Sequence, residues 1–167
     1  ESAKSQHVFV RETEWEAAQS VWLWRDGSPS MDYRSGRDRP TKRERAELLL
    51  LALTSLLVRG GEHIALLGSG QAPRAGRAAL SRIAAAVEGE TPDAASLPAF
   101  EPLPRHSRVV LIGDFLSPLD ALKATVDCYA GSGVRGHLLQ VLDPAEETFP
   151  FSGRIRFEGG EDEGEVM

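Results

Sequence analysis

Ser20-Val-Trp-Leu-Trp24, followed almost at once by Asp26-Gly-Ser-Pro-Ser-Met31, is the part of the chain from which the rest can be read. Four bulky apolar residues in succession after Ser20, with no polar alternation, predict a strand covered on both faces, hence a central one. The turn-rich segment after it then lies at the carboxyl end of that strand. A basic loop follows and ends at Thr41. Thr41-Lys-Arg-Glu44 is a capping box, in which the Thr oxygen accepts from a first-turn amide and Glu44 reaches back. The helix it opens runs to about Val58, and Gly60-Gly61 supplies a left-handed stop.

The same unit recurs downstream. His63-Ile-Ala-Leu-Leu-Gly68 reads as a second buried strand, and Leu80, Ile83, Ala84 and Val87 recur at helical spacing until Gly89. Pro92, Pro98, Pro102 and Pro104 exclude a long regular element over residues 90–106, leaving at most one helical turn near residues 93–97. Ser107-Arg-Val-Val-Leu-Ile-Gly113 is a third strand, closed by Asp114. A helix follows with Ser117 as N-cap and Pro118 at N1, turning Leu122, Val126 and Tyr129 inward. Gly131 and Gly133 end it, and Gly136-His-Leu-Leu-Gln-Val-Leu142 is a fourth strand. Short apolar strands alternating with amphipathic helices predict an α/β fold: a doubly wound, mostly parallel sheet with helices on both faces. Such sheets bind ligands beyond the carboxyl ends of their strands, where the strand order reverses. Asp26 and Asp114 both belong to that edge.

The flanks read differently. Residues 7–11 look like a strand with no evident place in the sheet. Residues 149–157 alternate enough for an edge hairpin, and the acidic segment 158–167 reads as a solvated tail. With 167 residues the chain is one domain, 1–167. It begins at Glu1 without a leader pattern, which suggests a piece of a longer protein. A net charge of −6 argues against nucleic acid as a partner, since phosphate binding draws on many Lys and Arg. The longest apolar stretch, residues 48–58, is about half of the roughly 20 residues a membrane-spanning helix needs. Cys128 is the single cysteine, which removes internal disulfides and multi-thiolate zinc sites and points to a cytoplasmic setting. On its helix it reads as a small buried hydrophobe, and Trp22 and Trp24 as core.

Asp26-x-Ser28-x-Ser30 places three oxygen ligands on one tight loop. Taken alone, this is also common turn and N-cap chemistry. Oxygen donors without nitrogen or sulfur suit a hard cation, Mg²⁺ first and Mn²⁺ or Ca²⁺ as alternatives. Further oxygens must come from neighbouring strand ends, and Asp114 and Thr91 are the candidates. Arg34, Arg37, Arg39, Lys42, Arg43 and Arg45 form a basic cluster that runs into a helix N-terminus, where the macrodipole disfavours cations. The expectation is that the cluster rims the site and attracts an acidic partner surface, with Arg34, Arg37 and Arg39 as the partner-binding residues, against the plainer reading of a solvated loop.

Asp-x-Ser-x-Ser after the first strand, a later loop Thr and an Asp after a later strand resemble the metal-ion-dependent adhesion site of von Willebrand factor A domains. Val8-Phe-Val-Arg-Glu-Thr-Glu-Trp-Glu16, Ser28-Pro-Ser-Met31 and Asp143-Pro-Ala-Glu-Glu-Thr-Phe-Pro-Phe-Ser-Gly153 resemble the bacterial domain-of-unknown-function family 58 within that superfamily. The resemblance implies a six-stranded sheet with one antiparallel edge strand, and a metal held by Asp26, Ser28, Ser30, Thr91 and Asp114. It implies a protein-binding module rather than an enzyme, in which a partner's acidic side chain completes the shell. It also implies a companion of MoxR-type AAA+ ATPases in complex assembly or maturation. Two departures are visible: Pro92 directly follows Thr91, and Gly68-Ser-Gly-Gln-Ala-Pro73 stands where an edge hairpin belongs.

Competing chemistries fit less well. A phosphoryl-transfer hydrolase with Asp26 as nucleophile wants a second carboxylate two residues on, where Ser28 stands. A dinucleotide cradle starting at Gly68-x-Gly70 would need glycine at Pro73.

Overall fold

A computed structural model describes residues 19–89 and 95–153. Four strands, β1 (Ser20–Arg25), β2 (His63–Leu66), β3 (Arg108–Gly113) and β4 (Arg135–Gln140), form one sheet in the order β2-β1-β3-β4. All neighbouring pairs are parallel. Helices α1 (Lys42–Arg59), α2 (Arg77–Gly89) and α3 (Leu119–Gly131) connect them, and a short α4 (Pro144–Thr148) follows β4. The α/β, doubly wound reading holds.

Strand periodicity builds the two sides of the core. Val21, Leu23, Ile64, Val110 and Ile112 point to one face and pack with Ala46 and Leu50 of α1 and Ile83 of α2. Trp22, Ala65, Val109 and Leu111 point to the other, against Tyr129 of α3, Leu103 and Val134. The Thr41–Glu44 capping box is present in both directions, and Gly61, at φ 83°, takes the left-handed conformation after α1. Trp22 is buried, and Trp24 packs on the edge of its cluster.

Several expectations are corrected. The fourth strand falls at Arg135–Gln140 rather than 136–142, at the end of the described sheet, and is exposed along its length. Ser117 does not cap α3: its hydroxyl bonds Ser96 Oγ at 2.7 Å, and Pro118 holds the N-cap position without a side-chain bond. Tyr129 is buried on α3, but Val126 is exposed. So is Cys128, which lies on the solvent side of that helix. Residues 144–148, left without a helix by the sequence reading, form α4, opened by an Asp143–Glu146 capping box. Four parallel strands are described, and the implied antiparallel edge is reduced to a single bridge between Ile64 and Arg74. Thr91, the strand expected at residues 7–11, residues 154–157 of the expected hairpin and the acidic tail lie outside the described residues. No helix among the described residues is long and apolar enough to cross a membrane.

Candidate metal and partner site

β1 and β3 are hydrogen-bonded neighbours in register, Arg25 opposite Ile112. The loops leaving their carboxyl ends therefore start side by side, and the Asp26 amide still donates to the Ile112 carbonyl at 2.7 Å. Successive elements depart to opposite sides of this pair, since β2 lies beyond β1 and β4 beyond β3. That is the crevice where open α/β sheets hold ligands. Asp26 and Asp114 leave the two strands at its floor, and Asp26 packs closely on Gly113, where a Cβ would stand 2.8 Å from Asp26 Cβ.

The loop after β1 is locked from within and from below. The Ser28 amide donates to Asp26 Oδ1 at 2.8 Å, an Asx-type turn that reverses the chain. Residues Pro29–Asp32 then form a 3-10 turn that drives Met31, fully buried, into the core beside α1. From above, Arg43 of α1 donates to the carbonyls of Gly27 (3.0 Å) and Ser28 (3.1 Å) and pairs with Asp32 at 2.6 Å.

On this scaffold three side-chain oxygens form an unbroken row. The Ser30 hydroxyl donates to Asp114 Oδ2 at 2.7 Å, which leaves the Ser28 hydroxyl to donate to Ser30 Oγ at 3.0 Å. These are ordinary hydrogen-bond lengths, and they also match the separation of about 2.9 Å between adjacent oxygens around a hard cation held at about 2.0–2.1 Å in an octahedron. Among the described residues no three His, Cys, Asp or Glu side chains gather as a metal cluster; the donors here are two hydroxyls beside the carboxylates of Asp26 and Asp114.

The row is closed by Lys42, a member of the basic cluster expected to rim the site. Lys42, 3% exposed, places its ammonium 2.8 Å from Asp114 Oδ2 and 2.6 Å from Glu146 Oε1 of α4. Its Nζ also lies 5.8 Å from the centre of the Tyr33 ring. Burial alone would lower the lysine pKa, but the hydrogen bonds and charges of Asp114 and Glu146 outweigh it and hold the ammonium above its usual range. The chain after β4 ties the same corner: Asp143 Oδ2 accepts from the Ser35 amide at 3.0 Å, and Gln140 Nε2 donates to the Asp114 carbonyl at 3.0 Å. Asp26, Ser28 and Asp114 are fully buried and Ser30 is partly buried, so the oxygens at which the resemblance implies an open coordination position are closed to solvent, with the Lys42 ammonium on Asp114 Oδ2.

Arg34, Arg37 and Arg39 are all exposed on the loop before α1. Arg39 and Arg45 line a pocket of about 230 Å³ with Thr41, Val141 and Leu142, next to Lys42. Soon after Asp114, Leu116 and Leu119 are 58% and 76% exposed. Two signals could have revealed Lys42 and α4. The buried stripe of α1 runs Lys42, Ala46, Leu50, Thr54, so extending the apolar positions back one turn lands on Lys42. Asp143-Pro-Ala-Glu146 is the same capping pattern already read at Thr41.

No curated protein matches the chain. Among solved structures, an aerotolerance-related membrane protein from Bacteroides fragilis, crystallised with multiple mutations to serines, superposes at a TM-score of 0.49 and 20% identity, over 74% of this chain and 68% of that one. The family described as "Protein of unknown function DUF58" matches residues 1–167, the full length of the sequence, and the chain belongs to that family.

Proposed function

We propose that this chain is a protein-interaction module of the von Willebrand factor A type, binding an acidic group of a partner through a divalent cation at the carboxyl ends of β1 and β3. The observation that carries the reading is the row Ser28 Oγ, Ser30 Oγ, Asp114 Oδ2, with spacings of 3.0 and 2.7 Å. Ser28, Ser30 and Asp114 would hold the cation, Asp26 would back them, and Thr91 is the further oxygen that the resemblance supplies. Mg²⁺ suits this all-oxygen set best, with Mn²⁺ as its usual experimental substitute. Held there, the cation supplies a point charge with a position for a carboxylate from outside.

The rim supports recognition of a protein. Leu116 and Leu119 offer exposed apolar surface soon after Asp114, while Arg34, Arg37 and Arg39 offer positive charge on the loop before α1. An acidic segment flanked by apolar residues matches both. A MoxR-type AAA+ ATPase is the partner suggested by the resemblance, with the module acting in complex assembly or maturation. The lone cysteine fits a reducing, cytoplasmic setting.

The alternative, phosphoryl transfer through Asp26, asks a carboxylate to attack from a position with no solvent exposure, against Gly113. Calorimetric titration with Mn²⁺ distinguishes the two. The binding reading expects uptake by the wild-type chain that is lost in Ser30→Ala and Asp114→Ala, and Mn²⁺-dependent capture of a partner. Turnover of a generic phosphate ester with an acyl-phosphate on Asp26 would favour the hydrolase instead.

A further inference from the structure

We infer that Lys42 is a tethered cation that closes this site: its ammonium, shared between Asp114 after β3 and Glu146 on α4, has to leave Asp114 before a divalent cation can be held there. This rests on the cation reading of the same oxygens and adds how access to them is controlled.

Three features carry it. First, Lys42 Nζ and the Ser30 hydroxyl converge on one atom, Asp114 Oδ2, at 2.8 and 2.7 Å, while Asp114 Oδ1 already accepts from the Leu116 amide at 3.2 Å. The oxygen best placed to ligate a cation is thus already neutralised by a positive charge from the chain itself. A second cation brought to that oxygen is repelled by the first, and the low dielectric of a buried site strengthens the repulsion. Second, the lysine is held in place rather than resting there. Its backbone amide donates to the Tyr33 carbonyl at 3.2 Å, its stem lies on the buried stripe of α1, and Glu146 fixes its far end at 2.6 Å. Third, the partner left to a displaced ammonium is Glu146, whose side chain is 24% exposed against 1% for Asp114, so withdrawal from Asp114 carries the amine toward solvent.

The chain contains three lysines, Lys4, Lys42 and Lys123, so amine chemistry can follow one of them. Reductive methylation of the folded wild-type chain, read by peptide mass spectrometry with and without saturating MnCl2, tests the inference without any substitution. Lys123, 69% exposed, serves as the reactive control. Lys42 is expected to resist modification without the ion and to become methylated with it. Methylation of Lys42 without the ion, or unchanged protection under saturating Mn²⁺, overturns the inference.

A paired titration separates this claim from the one beneath it. Lys42→Met is expected to bind Mn²⁺ at least about tenfold more tightly than wild type, whereas Lys42→Arg, which keeps the charge, is not. Equal affinity of wild type and Lys42→Met sinks the role of the lysine and leaves the cation reading standing. Absence of binding to both proteins sinks the cation reading and this inference with it.

Discussion

Lys42 Nζ and Asp114 Oδ2, 72 positions apart in sequence, meet at 2.8 Å where neither side chain has appreciable contact with solvent. A buried pair of this kind is worth little against a neutral substitute, yet removal of one partner strands a charge and costs about 3–5 kcal/mol. Lys42→Met and Asp114→Asn should therefore each destabilise the fold markedly in urea unfolding. The double variant should lose less than the sum, leaving a coupling of about 1–3 kcal/mol. Strict additivity would mean that the two groups do not depend on each other.

Arg43 ties the loop to α1 through the carbonyls of Gly27 and Ser28 and the Asp32 carboxylate. Asp32 is half in water, so its share is discounted, and Arg43→Ala should cost about 1–2 kcal/mol. The loss should be local. Hydrogen exchange over residues 27–32 should accelerate in the variant while β3 keeps its protection; unchanged exchange in the loop would show that Arg43 does not brace it.

Gly113 is where Asp26 packs closely on β3. An alanine Cβ 2.8 Å from Asp26 Cβ cannot be relieved by a flexible side-chain end, so Gly113→Ala should destabilise by about 1–3 kcal/mol or more and displace Asp26 from its place against β3. Thermal denaturation measures the first effect, and loss of Mn²⁺ uptake the second. A variant as stable as wild type would mean that the strand ends have room to separate.

Asp143 gives the site a pH dependence. Burial alone would raise its pKa, but hydrogen bonds from Ser35 and Ala145, with the charge of Arg39, outweigh it and hold the carboxyl below its ordinary 3.8. A group depressed in the folded state binds fewer protons folded than unfolded. Its stabilisation is complete above the unfolded value and is lost as the pH falls through the folded one. Denaturant unfolding of wild type should show stability declining as the pH drops below about 4. In Asp143→Asn that part of the decline should be missing, and identical profiles would remove Asp143 from the account.

Much of the sheet was legible because its signals are local. Apolar runs at residues 20–24 and 107–113, the Thr41–Glu44 box and Gly60-Gly61 place β1, β3 and both ends of α1 nearly where they fall. The convergence of Ser28, Ser30 and Asp114 follows from the parallel pairing of β1 with β3, which the alternation of elements implies. Lys42 was not legible in the same way. Its membership of a basic cluster expected around the site says nothing of burial, and only the tertiary path of α1 carries it to Asp114. Arg43 belongs to the same lesson: cations at a helix N-terminus, unfavourable for the helix itself, are retained where they reach forward to an acidic loop. Cys128 was misjudged because helical spacing fixes which residues share a face but not how much of that face a neighbour covers.

Anomalous diffraction from crystals of the chain soaked in Mn²⁺ tests the central claim most directly. The account predicts one peak within ligand distance of Ser28 Oγ, Ser30 Oγ and Asp114, with Lys42 Nζ withdrawn from Asp114. A saturating soak with no peak among these oxygens, and Lys42 still on Asp114, would contradict it.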